Sequence, residues 1–230
     1  MTEAVIFDLF GTLIDNFRRD EFRAIVAEAA RIMDAPEEPF AAEIRKLIPA
    51  SLTGAYDIAG EAALACRALG LARTEAQATE AAAAWRVWAV GLLQRPRTGV
   101  LETLTELRAT GIRTGLISDC AEDIPVLWPQ SPIAVLIDVP VFSAREGIAK
   151  PDPAIYLRAC ERLGVSPAAA LYVGDTAAEV VGADAAGLRA VRIQAPHESA
   201  ETHVADRSAW DGKTIVRAIP DLMPLVQPAN

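Results

Sequence analysis

Three cysteines, Cys66, Cys120 and Cys160, are all that 230 residues contain, odd in number and far apart. They form no CxxC pair, which removes thiol-ligated zinc and dithiol redox chemistry and leaves free buried thiols as the expectation. No run of about 20 strongly apolar residues occurs, and AAAAWRVWAVGLL is broken by Arg86, so no segment is expected to span a membrane. A basic excess is missing too: 22 Lys and Arg stand against 31 Asp and Glu, a net charge of −9, which argues against a nucleic-acid partner. The start, MTEAVIFDLF, has neither a basic cluster nor the long apolar segment of a signal peptide, so a cytoplasmic location is expected. Both histidines, His197 and His203, match no motif.

What is present is an alanine-rich chain, 52% hydrophobic, long enough for one large domain or a core with a smaller insertion. A short apolar run at 3–8 reads as a buried strand. From about 17 to 95 the pattern is helical. Phe22, Ile25, Val26, Ala29, Ile32 and Met33 share one helix face. Phe40, Ile44, Leu47 and Ile48 mark a second helix, expected to end at Pro49 with Gly54. A third is expected over 56–69, and Thr74 with Gln77 predicts a capping box for a fourth, which carries Trp85, Trp88 and Leu92 on one face. After Pro96 helices and strands alternate: helix 100–110, strand 113–118, strand 139–142, helix 153–163, strand 171–174, helix 177–186, strand 189–193, then a weaker strand 214–217 and a last short helix. That alternation predicts an α/β fold with a Rossmann-like parallel sheet, residues 1–15 and 96–230, interrupted by a helical insertion over 16–95.

In an open parallel sheet, ligands bind at the carboxyl ends of the strands. Asp8 ends the first strand. Ser118 ends the second and is followed by Asp119. Gly174, Asp175 and Thr176 end the fourth. Between these, Lys150 precedes a helix with Asp152 as its expected cap and Pro153 at its first position. Asp175 and Glu179 stand four residues apart at a helix start and can face one point. Such a set suits an anionic group held by Ser118 and Lys150, a cation held by Asp175, and attack by Asp8.

DLFGTL, LISD, KPDP and GDTAAE, in that order and at strand ends, resemble the four motifs of the haloacid dehalogenase-like hydrolase superfamily, over the whole chain. The insertion directly after the first motif is similar to the family's α-helical cap of type C1. The resemblance implies a hydrolase in which Asp8 is the nucleophile, Ser118 and Lys150 hold the transferring group, and Mg²⁺ is bound by Asp8, the backbone carbonyl of Phe10, Asp175 and Glu179. Asp119, Gly11 and Thr12 join Ser118 and Lys150 as expected substrate contacts.

Position 10 departs from the pattern, because family phosphatases usually carry an aspartate there as acid and base. Phenylalanine does neither, and general acid–base help is worth about 10²–10⁴-fold. Three readings stand. The first is a phosphatase acting on a small phosphorylated metabolite through an aspartyl-phosphate, with a good leaving group or another acid such as Asp119 or Glu146. The second is a metal-free 2-haloacid dehalogenase, whose relatives have an aromatic residue at this position. The third is a non-catalytic binder of a phosphorylated ligand. Gly174–Asp175 and Asp119 favour the first over the second, and the retained Asp8, Lys150 and Asp175 weigh against the third. A bundle-core role is expected for Trp85 and Trp88, and solvated positions for Arg18 and Arg19. The oligomeric state is left open, a homodimer included.

Overall fold

The computed structural model describes residues 1–194 and 214–226, so His197 and His203 lie outside the described residues. The first strand, β1 (Ala4–Phe7), is apolar at every position because both of its faces are covered: Val5 and Phe7 join one core cluster, Ala4 and Ile6 the other. Beyond it lie β2 (Arg113–Ser118) and β3 (Val139–Phe142) on one side, and β4 (Ala170–Gly174), β5 (Arg189–Ile193) and β6 (Ile215–Val216) on the other. All pairings are parallel, in the order β3-β2-β1-β4-β5-β6. The order reverses between β1 and β4, so a crevice opens beyond their carboxyl ends. Register places Phe7 beside both Leu116 and Val173, which brings the residues that follow β1, β2 and β4 to the same level.

Along the chain, four helices separate β1 from the later strands: α1 (Arg19–Ile32), α2 (Glu37–Ser51), α3 (Ile58–Ala68) and α4 (Glu75–Leu93). They have a core of their own, with Met33, Phe40, Ala65, Cys66 and Ala81 at its centre. Asp57 caps α3 by accepting from the Gly60 N–H at 2.8 Å, and the Thr74–Gln77 box caps α4 as its spacing predicts. Pro49 does not end α2. It sits in the last turn, where only one internal hydrogen bond is forfeited, and the helix closes after Ser51 with the Leu52 N–H on Ile48 O.

The remaining helices are α5 (Val100–Ala109), α6 (Asp123–Leu127), α7 (Ser143–Glu146), α8 (Pro153–Leu163), α9 (Ala177–Ala185) and α10 (Met223–Val226). Helix α5 packs Val100, Leu104 and Leu107 on one sheet face, while α8 and α9 cover the other through Ile155, Tyr156, Val180 and Ala183. The short α6 and α7 carry too few residues for a periodicity to show in sequence. Among the described residues, no helix is long and apolar enough to cross a membrane.

Candidate active site

Asp8 leaves β1 with its N–H still bonded to Val173 O at 2.9 Å, so the sheet itself aims its carboxylate into the crevice. The chain then turns sharply. Gly11 has φ +90°, and a Cβ there would lie 2.2 Å from Asp175 Oδ2, so only glycine lets the two strand ends approach this closely. Asp175 follows β4, and Glu179 stands one turn into α9. Thr176 caps that helix, and the Glu179 carboxylate accepts a hydrogen bond from the Thr176 N–H at 2.8 Å.

Oxygens of Asp8, Asp175 and Glu179 all lie within 4.8 Å of one another. Lys150, from the loop before α8, reaches into this group: its ammonium pairs with Asp8 Oδ1 and, at 2.6 Å, with Glu179 Oε2. Two of the three buried carboxylates, Asp8 and Glu179, thus share one ammonium. Burial pushes the Asp8 carboxyl up, to about 7, against the pull of Lys150. Burial acts the same way on Glu179, but Lys150 and the hydrogen bonds around it prevail and take it down to about 2. For Lys150, Asp8 and Glu179 overcome the cost of burial and hold its pKa well above the ordinary 10.5.

The donor set fits a hard divalent cation. All the side-chain ligands are carboxylate oxygens, the chemistry Mg²⁺ prefers, and Asp8 Oδ2 is buried without a hydrogen-bond partner among the described residues.

A cavity of about 580 Å³ opens from this cluster towards the helical insertion. Asp8, Asp119, Lys150, Asp175 and Glu179 line it, together with Phe10. The Phe10 ring packs 4.6 Å from that of Phe17, centroid to centroid, so its side chain belongs to the apolar wall. Asp119 Oδ1 accepts from the Lys150 N–H at 3.1 Å, and burial pushes its carboxyl up. Gly11, Thr12 and Ser118 are not on the wall. Thr12 and Ser118 are fully buried beside it, each with a hydroxyl that lacks a partner among the described residues.

Two expectations are corrected. Glu146 is clasped by Arg158 at 2.6 Å and Arg162 at 2.7 Å and does not line the cavity, so it is no substitute acid. Trp85 and Trp88 line the cavity instead of filling the bundle core. The apolar stripe of α1 serves two surfaces: Met33 is buried among the helices, Phe22 and Ile25 face the cavity, and Val26 lines the cavity while packing on the helical core. Arg18 is exposed and pairs with Asp20 at 3.2 Å, as a solvated helix start does. Cys120 is buried, and burial pushes its thiol pKa up, which makes it inert.

The structure also adds residues that motif spacing did not indicate. Tyr172 donates its hydroxyl to Glu179 Oε2 at 2.8 Å, and Tyr156 donates to Glu179 O at 2.8 Å. Arg192, buried in β5, donates from Nε to Asp175 O at 2.9 Å. Asn16 Nδ2 lies 3.5 Å from Asp175 Oδ2. A signal for three of these exists: a tyrosine or arginine within an otherwise apolar strand or helix face must find a polar partner.

Comparison with known proteins agrees with this geometry. Residues 2–187 match the family described as haloacid dehalogenase-like hydrolase. Hexitol phosphatase A of Escherichia coli (strain K12) is 30% identical over 203 residues, which cover 87% of each chain. A phosphoglycolate phosphatase of Nitrosospira multiformis is 31% identical over 197 residues, 80% of each chain. The crystal structure of a 2-haloacid dehalogenase from Pseudomonas syringae pv. tomato DC3000 superposes with a TM-score of 0.70 at 24% identity, covering 98% of both chains, a likeness of fold.

Proposed function

The chain belongs to the haloacid dehalogenase-like hydrolase family, and within it we propose a Mg²⁺-dependent phosphatase that acts on a small phosphorylated metabolite through an aspartyl-phosphate on Asp8. The observation that carries this reading is the convergence of Asp8, Asp175 and Glu179 on one point beside Lys150. A metal-free displacement of halide has no use for two further carboxylates gathered around the nucleophile, and their mutual repulsion raises the cost of ionising it. Phosphatases among the relatives support the same choice.

In the proposed reaction an Asp8 oxygen attacks phosphorus, and the bond to the ester oxygen breaks with its electron pair on the leaving group. Water then attacks the phosphoryl group, releasing phosphate and restoring Asp8. Asp8, the Phe10 carbonyl, Asp175 and Glu179 would hold Mg²⁺, which when bound neutralises charge on the phosphoryl oxygens. Lys150 does the same from the other side, and Ser118 is assigned to the phosphoryl group as it reaches the strand ends. Phe10 supplies no proton. Asp119 is assigned the acid's part, because it lines the cavity directly after β2 beside Lys150 and burial pushes its carboxyl up. Helices α1–α4, residues 16–95, act as the cap on a core of 1–15 and 96–230, excluding water during the first step.

The test is phosphate release from acyl phosphates and phosphate esters, with Mg²⁺ or with EDTA, alongside halide release from 2-haloacids. Release that requires metal and disappears in Asp8→Asn is expected. Halide release that ignores EDTA would overturn the proposal.

A further inference from the structure

Beyond the charged cluster, the cavity wall is made by the helical insertion, and its chemistry is one-sided. Phe22, Ile25, Phe40, Ile44, Trp85 and Trp88 face the space, and Lys150 is the one cationic side chain on the wall among the described residues. That ammonium is already engaged by Asp8 and Glu179. Among the polar groups, Asn16 is committed to Asp175 and to the Phe17 N–H, and Thr176 to capping α9. Glu61 of α3 remains, with Ser51 beside it. Glu61 is 5% exposed and has no ion-pair partner among the described residues. Burial pushes its carboxyl up to about 7, Ser51 offsets part of this and Asp123 adds to it.

A buried carboxyl without a cation is costly unless something hydrogen-bonds to it. The volume, about 580 Å³, is well beyond the needs of a two-carbon phosphoglycolate. A second anionic group on the substrate would be stripped of water against an apolar wall with no free cation, and would be repelled by Glu61. A polyol would leave most of its hydroxyls without partners. We infer that the substrate is a phosphate monoester with a predominantly apolar body and one hydrogen-bond donor, a hydroxyl or an ammonium, received by Glu61 as the specificity-determining residue. This rests on the phosphatase reading, and it separates this chain from relatives named for phosphoglycolate and hexitol phosphates.

The test compares hexyl, 6-hydroxyhexyl and 6-aminohexyl phosphate, whose leaving groups are all unactivated primary alkoxides, with 2-phosphoglycolate, using the Mg²⁺-loaded full chain. The hydroxyl or amino ester should exceed both hexyl phosphate and 2-phosphoglycolate in kcat/KM by about 10-fold or more, chiefly through KM. Which of the two leads identifies the donor. In Glu61→Leu the order should reverse towards hexyl phosphate, and Glu61→Gln should keep the hydroxyl preference while losing any ammonium preference. Acetyl phosphate, too small to span the cavity, reports on the phosphatase core alone. If it is not cleaved, the phosphatase reading fails, and calorimetric binding of the same four esters still reads the preference. If 2-phosphoglycolate matches the hydroxyl and amino esters, or hexyl phosphate does, the assignment of Glu61 is overturned.

Discussion

Lys150 is 6% exposed at its side chain and stands between two carboxylates of similar burial. Removing it leaves like charges facing each other without water, and breaking a buried pair in this way costs about 3–5 kcal/mol. Lys150→Met should therefore lose both phosphate release and stability, the second read by urea denaturation, with added Mg²⁺ restoring part of the stability alone. Phe10→Asp is expected to act in the opposite sense on rate, raising turnover of esters with poor leaving groups by up to about 10²–10⁴-fold relative to acyl phosphates. No change in that ratio, in a variant that still binds phosphate, would show that proton supply does not limit the reaction. Glu61 gives a pH prediction. Its pKa rises from 4.5 to about 7 on folding, chiefly through burial. The stability this contributes is fully present below 4.5 and is lost as pH rises through about 7. Glu61→Gln should flatten that decline, a difference of up to roughly 3 kcal/mol between pH 4.5 and 8 in denaturation midpoints.

At the scale of elements, the insertion is tied to the sheet domain by a clasp that motif reading did not contain. Asp123 of α6 accepts from Arg86 of α4 through Oδ1, and from the Ile58 N–H at the start of α3 through Oδ2 at 3.1 Å. The Asp123 side chain is 2% exposed and that of Arg86 38%, which makes the two deletions unequal. Arg86→Ala strands a buried carboxylate, whereas Asp123→Ala leaves an arginine that turns into water. The first should cost more, about 3 kcal/mol against about 1–2 kcal/mol, measured by thermal or urea unfolding. Strands β2, β3 and β5 and helix α8 have the bounds their patterns predict, because short apolar runs, Gly164 after α8 and the Asp152–Pro153 start are local signals. Pro49 misled for the same reason: a local rule places the break at proline, while the packing of Phe40 and Ile44 into the helical core carries α2 past it.

For the whole molecule, the two strand ends flanking the switch between β1 and β4 bring carboxylates from residues far apart in the chain to one point, the proposed cation site. Mg²⁺ at 100 times its Kd should stabilise the fold by about 2.7 kcal/mol, a rise of roughly 5–10 °C in Tm. Asp175→Asn should abolish that rise, and a wild-type chain whose Tm ignores Mg²⁺ would remove the metal site from the proposal. Asp8, Asp119, Lys150, Asp175 and Glu179 were legible in the sequence because each sits at a strand end or helix start, where short spacing dictates position. The partners behind them, Tyr156, Tyr172 and Arg192, were not, since nothing local says which buried hydroxyl or guanidinium will meet which oxygen. The same holds for the cavity. Periodicity identifies Phe22, Trp85 and Trp88 as apolar-face residues but not whether that face meets another helix or an open space. Sequence by itself determined the parallel α/β character of the core, the helical insertion and the residues of the charged cluster, because those follow from the chain's local preferences and from the long crossovers that parallel strands need. Tertiary packing alone decided that Glu146 is sequestered by two arginines, that Glu61 lies on an apolar wall without an ion-pair partner among the described residues, and how large a cavity opens beside Asp8, because burial and charge neighbours are properties of the folded surface.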